Sequence, residues 1–188
     1  MRGALLDRDG VLLLLDEKAL YRKAVELAAR GAGLERSLAA LARAVRALNE
    51  AVRGLAVRTL EEEEALWRSL VLEVARELRV PPKELLPWRY YRFMRPAPGA
   101  ERLLRRLKAR GLKVGVLSNT LPSLRESLAH HGLARYVDGF FASCALGVAK
   151  PEGENTALVA GRENVEAARR LGLRAEVYAP IGAPGRRA

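Results

Sequence analysis

The chain has 188 residues, 49% of them hydrophobic, which suits one domain with a core of its own or one domain carrying a large insertion. The net charge of +11 is spread along the whole sequence without interleaved aromatic residues, so we expect no nucleic-acid site. A single cysteine excludes a disulfide framework and favours the cytoplasm. The high charged fraction is compatible with heat adaptation.

The first residues predict a buried strand that ends in an acidic turn. Residues 3–6 form a short apolar run, and Asp7, Arg8, Asp9 and Gly10 follow it. With two acids among the first ten residues we expect no signal peptide. The apolar residues 11–15 are too few to span a bilayer, so we also expect no membrane association.

Residues 16–94 carry a helical pattern. Thr59 and Glu62 form a capping-box pair, which predicts the start of a helix. The predicted buried stripe of that helix is Trp67, Leu70, Val71, Val74 and Leu78. The predicted stripe of the preceding helix is Leu38, Leu41, Ala42, Val45 and Leu48.

After residue 98 the predicted elements alternate. Predicted helices cover residues 100–110, 121–131 (capped by Thr120) and 165–171, and predicted strands cover 114–117, 139–143, 158–159 and 175–178. Alternation of this kind indicates an α/β fold with a Rossmann-like parallel sheet, and the helical block is an insertion above its carboxyl edge. We therefore predict an α/β core (1–12 and 96–180), an α-helical cap (13–95) and a frayed tail (181–188).

Asp7 and Asp9 are the first candidates for chemistry. One carboxylate can attack phosphorus to form an acyl-phosphate, and its neighbour can move the proton. The pair is also suited to a hard cation such as Mg²⁺. An acidic turn without a function is the alternative. Arg8, between them, either contacts substrate or forms an ion pair with one of the two aspartates.

Two further candidates follow later predicted strands. Ser118 and the backbone of Asn119 can donate hydrogen bonds to a phosphoryl oxygen, although a helix cap gives the same pattern. Lys150, after residues 147–149, can neutralise a phosphoryl group, although an isolated lysine is more often a surface residue.

Together the three motifs are specific. The segments LLDRDGVL, KVGVLSN and SCALGVAKP resemble the first three motifs of the haloacid dehalogenase-like superfamily, in this order. The insertion resembles the helical cap of the subfamily that includes dehalogenases, phosphoglycolate phosphatases and β-phosphoglucomutases. The resemblance implies Asp7 as nucleophile, Asp9 as acid/base, Ser118 as phosphate ligand and Lys150 as stabilising cation.

The resemblance also implies an activity. We expect a Mg²⁺-dependent phosphomonoesterase that acts on a small phosphorylated metabolite through an aspartyl-phosphate, with Asp7 and Asp9 at the metal. Haloacid dehalogenases share the nucleophile but usually lack an acid at the position of Asp9, so dehalogenation is the weaker alternative. We expect a monomer or a homodimer.

The sequence departs from the family at its fourth motif. The resemblance implies acids near Ala160 and Gly161, but the chain's four aspartates are Asp7, Asp9, Asp16 and Asp138. Glu163 is the nearest candidate for a substitute ligand. The interval between Lys150 and the strand predicted at 158–159 is also too short for a crossover helix, which we expect to be missing. These departures leave a weakened phosphatase or a non-catalytic binding protein as alternatives.

Overall fold

A computed structural model describes residues 3–85 and 88–150 of the chain. The expectations for the fourth motif, Glu163, the absent crossover helix and the tail lie outside these residues. The described elements in chain order are β1 (Gly3–Leu6), β2 (Leu13–Leu15), α1 (Glu17–Leu27), α2 (Leu34–Arg53), α3 (Leu60–Leu78), β3 (Met94–Pro96), α4 (Ala100–Ala109), β4 (Lys113–Ser118), α5 (Leu124–His130), β5 (Gly139–Ala142) and α6 (Ser143–Leu146).

The expected parallel sheet is present. The described strands of the core lie in the order β1-β4-β5, and both neighbouring pairs are parallel. The register pairs Leu6 with Val116 and Ser118 with Ala142, so the carboxyl ends of these strands lie at one edge. The core around the sheet is formed by apolar side chains such as Leu6, Leu104, Val114, Val116 and Leu128. The α/β fold predicted from the alternating pattern is confirmed.

A two-stranded antiparallel ribbon connects the core to the helical cap. Strand β2 pairs with β3, and Leu13 lies opposite Pro96. The backbone N–H of Asp16 extends this pairing by donating to the carbonyl of Phe93 at 2.7 Å. The two segments in which the chain passes between the core and the cap therefore run side by side. The boundaries expected at 12/13 and 95/96 fall on this ribbon.

The cap helices begin where their sequences predict. The Asp16 carboxylate accepts a hydrogen bond from the backbone N–H of Ala19 at the start of α1. Helix α3 starts with the expected capping box, in which Thr59 and Glu62 accept hydrogen bonds from each other's backbone N–H. The predicted stripe of α3 is buried in full and includes Trp67.

Helix α2 buries a different face from the predicted one. Leu38 is 39% exposed and Ala42 is exposed, whereas Ala40 and Ala44 are buried. The buried face is rotated toward Ser37, Ala40 and Ala44, whose small side chains allow close packing against the other cap helices. Leu41 and Leu48 are buried as expected.

Helix α5 begins later than predicted, and Thr120 is not its cap. The helix covers Leu124–His130, and its N-cap is Ser123. Pro122 disfavours helical backbone at the residue before it, which delays the start of the helix. The N–H of Thr120 instead donates to Ser143 Oγ at 3.0 Å and fixes the loop to the start of α6. In the described part of the chain, no helix combines the length and hydrophobicity needed to cross a membrane.

Candidate active site

Asp7 and Lys150 form a buried ion pair at the carboxyl end of β1. Lys150 Nζ lies 2.8 Å from Asp7 Oδ2, and the two side chains are only 9% and 11% exposed, respectively. The other carboxylate oxygen of Asp7 accepts the backbone N–H of Arg8 at 2.8 Å. Burial raises the pKa of Asp7, and the positive charge of Lys150 offsets part of this rise. The sequence placed these residues 143 positions apart, and the fold brings them into contact.

Arg8 takes the ion-pair alternative that the sequence left open. Its Nε and Nη2 each donate to one oxygen of the Asp9 carboxylate at 2.9 Å. The Arg8 side chain is 5% exposed, and its guanidinium lies 5.7 Å from the centre of the Tyr90 ring. Burial opposes the charge on Arg8, but the neighbouring Asp9 outweighs it and raises the pKa of the guanidinium. A bidentate pair of this kind fixes the direction of the Asp9 carboxylate.

The Asn119 side chain is bound to the backbone of Lys150 at both of its polar atoms. Asn119 Oδ1 accepts the N–H of Lys150 at 2.9 Å, and Asn119 Nδ2 donates to the Lys150 carbonyl at 3.0 Å. Lys150 Nζ also donates to the carbonyl of Leu117 at 3.2 Å. Leu117 is the next-to-last residue of β4. The side chain of Asn119 therefore holds the lysine loop against the end of β4.

Ser118 lies at the end of β4 with its hydroxyl near the acidic turn. The residue is buried, and its Oγ is 3.5 Å from Asp9 Oδ2, which is the outer limit of a hydrogen bond. The weak contact leaves the hydroxyl able to turn toward a ligand. Asp7, Asp9, Ser118 and Lys150 are thus brought together at one edge of the sheet, as the motifs predicted.

A small cavity separates this edge of the core from the cap. Its volume is about 60 Å³. The lining residues are Arg8, Asp9, Leu48, Asn49, Val52, Tyr90, Asn119, Thr120 and Leu121. Helix α2 supplies three of them, so the cap covers the acidic turn directly. The side chain of Asp9, at 43% exposure, is the accessible carboxylate of the pair.

Glu63 connects the cap to the core through a buried carboxylate that sequence reasoning missed. Its Oε2 accepts the backbone N–H of Ser123 at 2.8 Å, and its Oε1 accepts the Ser123 hydroxyl at 2.5 Å and Trp67 Nε1 at 3.1 Å. Ser123 begins α5, directly after the loop that carries Asn119. The sequence shows Glu63 only as one of four consecutive glutamates, so nothing in it distinguishes this residue from its exposed neighbours.

The donors present satisfy the minimum that Mg²⁺ requires. This cation is commonly held by one or two carboxylates together with substrate phosphate and water. Asp7 and Asp9 supply hard oxygen atoms at one turn. Residues 3–85 and 88–150 contain no cluster of three or more metal-ligating side chains, so this part of the chain adds no third carboxylate.

Comparison with known proteins agrees with this site. A family model described as haloacid dehalogenase-like hydrolase matches residues 1–179. Phosphatase MT3486 of Mycobacterium tuberculosis (strain CDC 1551 / Oshkosh) is 33% identical over 155 residues, which cover 80% of this chain and 67% of that protein.

Solved structures share the fold at lower identity. A phosphatase of the same superfamily from Thermococcus onnurineus superposes with a TM-score of 0.57 at 18% identity, covering 99% of this chain and 90% of its own. An L-2-haloacid dehalogenase from Xanthobacter autotrophicus superposes with a TM-score of 0.55 at 18% identity. The match covers 95% of this chain and 78% of the dehalogenase chain. A putative β-phosphoglucomutase from Thermotoga maritima superposes with a TM-score of 0.53 at 17% identity. The match covers 99% of this chain and 89% of the other chain. From its sequence match and its fold, this chain belongs to the haloacid dehalogenase-like hydrolase family.

Proposed function

We propose that the protein is a Mg²⁺-dependent phosphomonoesterase that acts on a small phosphorylated metabolite through an aspartyl-phosphate intermediate. The observation that carries this proposal is the Asp7–Lys150 ion pair beside Asp9 at the carboxyl edge of the sheet. The similarity to a phosphatase from Mycobacterium tuberculosis supports the same choice.

Asp7 is the proposed nucleophile. Its carboxylate attacks phosphorus, so that an Asp7–phosphorus bond forms while the bond from phosphorus to the alcohol oxygen breaks. The N–H of Arg8 and the ammonium of Lys150 fix the two carboxylate oxygens, which orients the attacking atom. In this proposal Lys150 also stabilises negative charge on the phosphoryl oxygens, together with the Ser118 hydroxyl and the Asn119 backbone N–H.

Asp9 is the proposed acid/base. In the first step its carboxyl group gives a proton to the departing alcohol oxygen. In the second step it takes a proton from the water that attacks phosphorus, which releases inorganic phosphate and restores Asp7. Arg8 holds both oxygens of Asp9, so we assign Arg8 the task of aiming this carboxylate into the cavity.

Asp7 and the backbone carbonyl of Asp9 are the proposed ligands of Mg²⁺. When bound, this cation supplies positive charge that counters the developing charge on the phosphoryl oxygens. With both aspartates ionised, the formal charges of the described site cancel, because Lys150 pairs with Asp7 and Arg8 pairs with Asp9. A phosphomonoester dianion therefore needs added positive charge, which supports a cation requirement.

A non-catalytic binding protein is the second candidate. It is favoured by one observation, namely that no aspartate follows Asp138 in the sequence, so the acids of the fourth motif are lacking. Fewer anionic ligands weaken cation binding. This candidate predicts binding of phosphorylated compounds without turnover.

The test is release of phosphate from p-nitrophenyl phosphate and a panel of phosphorylated metabolites, with Mg²⁺ or with EDTA. The variant is Asp7→Asn, and the matched control is Asp16→Asn, because asparagine caps a helix about as well as aspartate. We expect turnover that requires Mg²⁺, is lost in Asp7→Asn and is retained in Asp16→Asn. Binding without turnover in the unaltered protein would favour the second candidate.

A further inference from the structure

The cavity above Asp9 has a wall contributed entirely by the cap. This cap wall consists of Leu48, Asn49 and Val52 on α2. Val52 is four positions from Leu48 and three from Asn49, so its side chain is a neighbour of both on the surface of α2. The opposite wall carries Arg8 and Asp9, the pair proposed to act at the leaving oxygen. The organic part of a substrate would therefore lie against the cap wall.

The cap wall is uncharged. Leu48 and Val52 offer apolar surface, and Asn49 offers one amide that can both donate and accept. The basic residues nearest in sequence on this helix, Arg46 and Arg53, are exposed and do not line the cavity. Among the described cap residues, the cap wall thus provides one hydrogen-bonding side chain and no cation for an anionic substituent, and Tyr90, which also lines the cavity, adds an uncharged phenol.

Among residues 3–85 and 88–150, the cations at the core side of the site, Arg8 and Lys150, do not supply that counter-ion either. Arg8 already holds both oxygens of Asp9, and Lys150 holds Asp7. A carboxylate on the leaving group would add a negative charge beside Asp9 without a partner. Burial of an unpaired charge is strongly unfavourable.

The size of the cavity limits the leaving group further. A volume of about 60 Å³ has room for several water molecules, since roughly 10–15 Å³ of such volume holds one. A leaving group of a few non-hydrogen atoms fits this space with little rearrangement. A sugar or a nucleoside is larger than this cavity.

We infer that the preferred substrates are phosphate esters of short, uncharged alcohols, and that Asn49 is a specificity-determining residue that binds a hydroxyl or carbonyl group of the leaving alcohol. This inference rests on the proposed phosphomonoesterase activity. It attributes the discrimination between uncharged and anionic leaving groups to the uncharged cap wall and to the Arg8–Asp9 ion pair, in which Arg8 is already engaged.

The experiment compares two esters of equal length, 2-hydroxyethyl phosphate and 2-phosphoglycolate, which differ in a hydroxyl against a carboxylate. Glucose 6-phosphate serves as a large uncharged comparison, and p-nitrophenyl phosphate serves as an activated reference. We expect kcat/KM for 2-hydroxyethyl phosphate to exceed that for 2-phosphoglycolate by on the order of tenfold to a hundredfold. Glucose 6-phosphate should be hydrolysed more slowly than 2-hydroxyethyl phosphate.

Variants of Asn49 separate its role from a general effect of the fold. Asn49→Leu should lower kcat/KM for 2-hydroxyethyl phosphate by a larger factor than kcat/KM for p-nitrophenyl phosphate, whose leaving group carries neither a hydroxyl nor a carbonyl group. Asn49→Lys supplies the missing cation and should shift the preference toward 2-phosphoglycolate. The control is Arg46→Lys, a change of an exposed residue on the same helix. It should leave the relative kcat/KM values of these esters unchanged.

Two results would overturn the inference in distinguishable ways. Turnover that favours 2-phosphoglycolate, or an unchanged preference in both Asn49 variants, would refute the neutral cap wall while leaving the phosphomonoesterase intact. Silence on every ester, p-nitrophenyl phosphate included, would refute the proposed function and this inference together.

Discussion

Asn119 binds the backbone of Lys150 through both atoms of its side-chain amide, at 2.9 and 3.0 Å. The motif pattern presented the backbone of Asn119 as a phosphate ligand, and the side chain of the same residue fixes the loop that carries the lysine. Asn119 is in this respect a positioning residue for Lys150, and only its backbone N–H remains a candidate for the phosphoryl group.

Replacement of Asn119 should therefore act through Lys150. Asn119→Ala releases the lysine loop, and we expect kcat to fall by about tenfold to a hundredfold with little change in KM, because small displacements of an aligned group have effects of this size. The double variant with Lys150→Met should be no worse than Lys150→Met alone. A rise in KM with unchanged kcat would instead indicate direct substrate binding by the Asn119 side chain.

The acid limb of the activity profile should reflect Asp7. Burial raises the pKa of Asp7, so the carboxyl stays protonated to a higher pH than in an ordinary aspartate, and only the ionised form attacks. Activity should thus decline on acidification at a pH above the usual aspartate range. Lys150→Met removes the charge that lowers this pKa, so the limb of its residual activity should move to higher pH. Lys18→Met, a change of an exposed lysine in α1, is the control and should leave the limb in place.

Glu63 should contribute to stability as well as to cap docking. Glu63→Gln leaves one of its donors, Trp67 or Ser123, without a carboxylate oxygen in a buried position. We expect the free energy of unfolding in urea to decrease by about 1–3 kcal/mol. Glu61→Gln, an exposed change two residues away in the same helix, should have little effect. Equal losses in the two variants would contradict a special role for Glu63.

The surface cluster around Glu101 predicts a pH-dependent contribution to stability. Hydrogen bonds from Tyr136, Arg105 and Arg135 lower the pKa of Glu101 from 4.5 to about 2. Because the pKa of Glu101 is lower in the folded state, its ionised form stabilises the fold above pH 4.5. This stabilisation is lost as the pH falls toward about 2. The Tm difference between the unaltered protein and Glu101→Gln should therefore shrink on acidification through this window. A difference independent of pH would contradict this assignment, and exposed Glu35→Gln is the control.

Much of the catalytic edge could be predicted from the sequence because its signals are local. Asp7 and Ser118 each follow an apolar strand, and parallel strands bring their carboxyl ends to one edge. The capping box at Thr59 was equally clear, because its two partners are three residues apart.

The remaining features depend on packing between distant segments. The partners of Glu63 and Asn119 lie 60 and 31 residues away, and no local spacing indicates them. The pairing of Arg8 with Asp9 was one of two alternatives, and the ring of Tyr90 that lies over Arg8 comes from a segment about eighty residues away in the sequence. The buried face of α2 differed from the prediction because alanine is compatible with either an exposed or a closely packed surface.

The most direct test of the account is detection of a phosphorylated Asp7. The protein is mixed with a substrate that it hydrolyses, quenched in acid, digested and analysed by mass spectrometry. We expect the peptide that contains Asp7 to gain the mass of one phosphoryl group in the unaltered protein and in Asp16→Asn, and to gain nothing in Asp7→Asn. Turnover without this adduct, or with the phosphoryl group on another residue, would contradict Asp7 as the nucleophile.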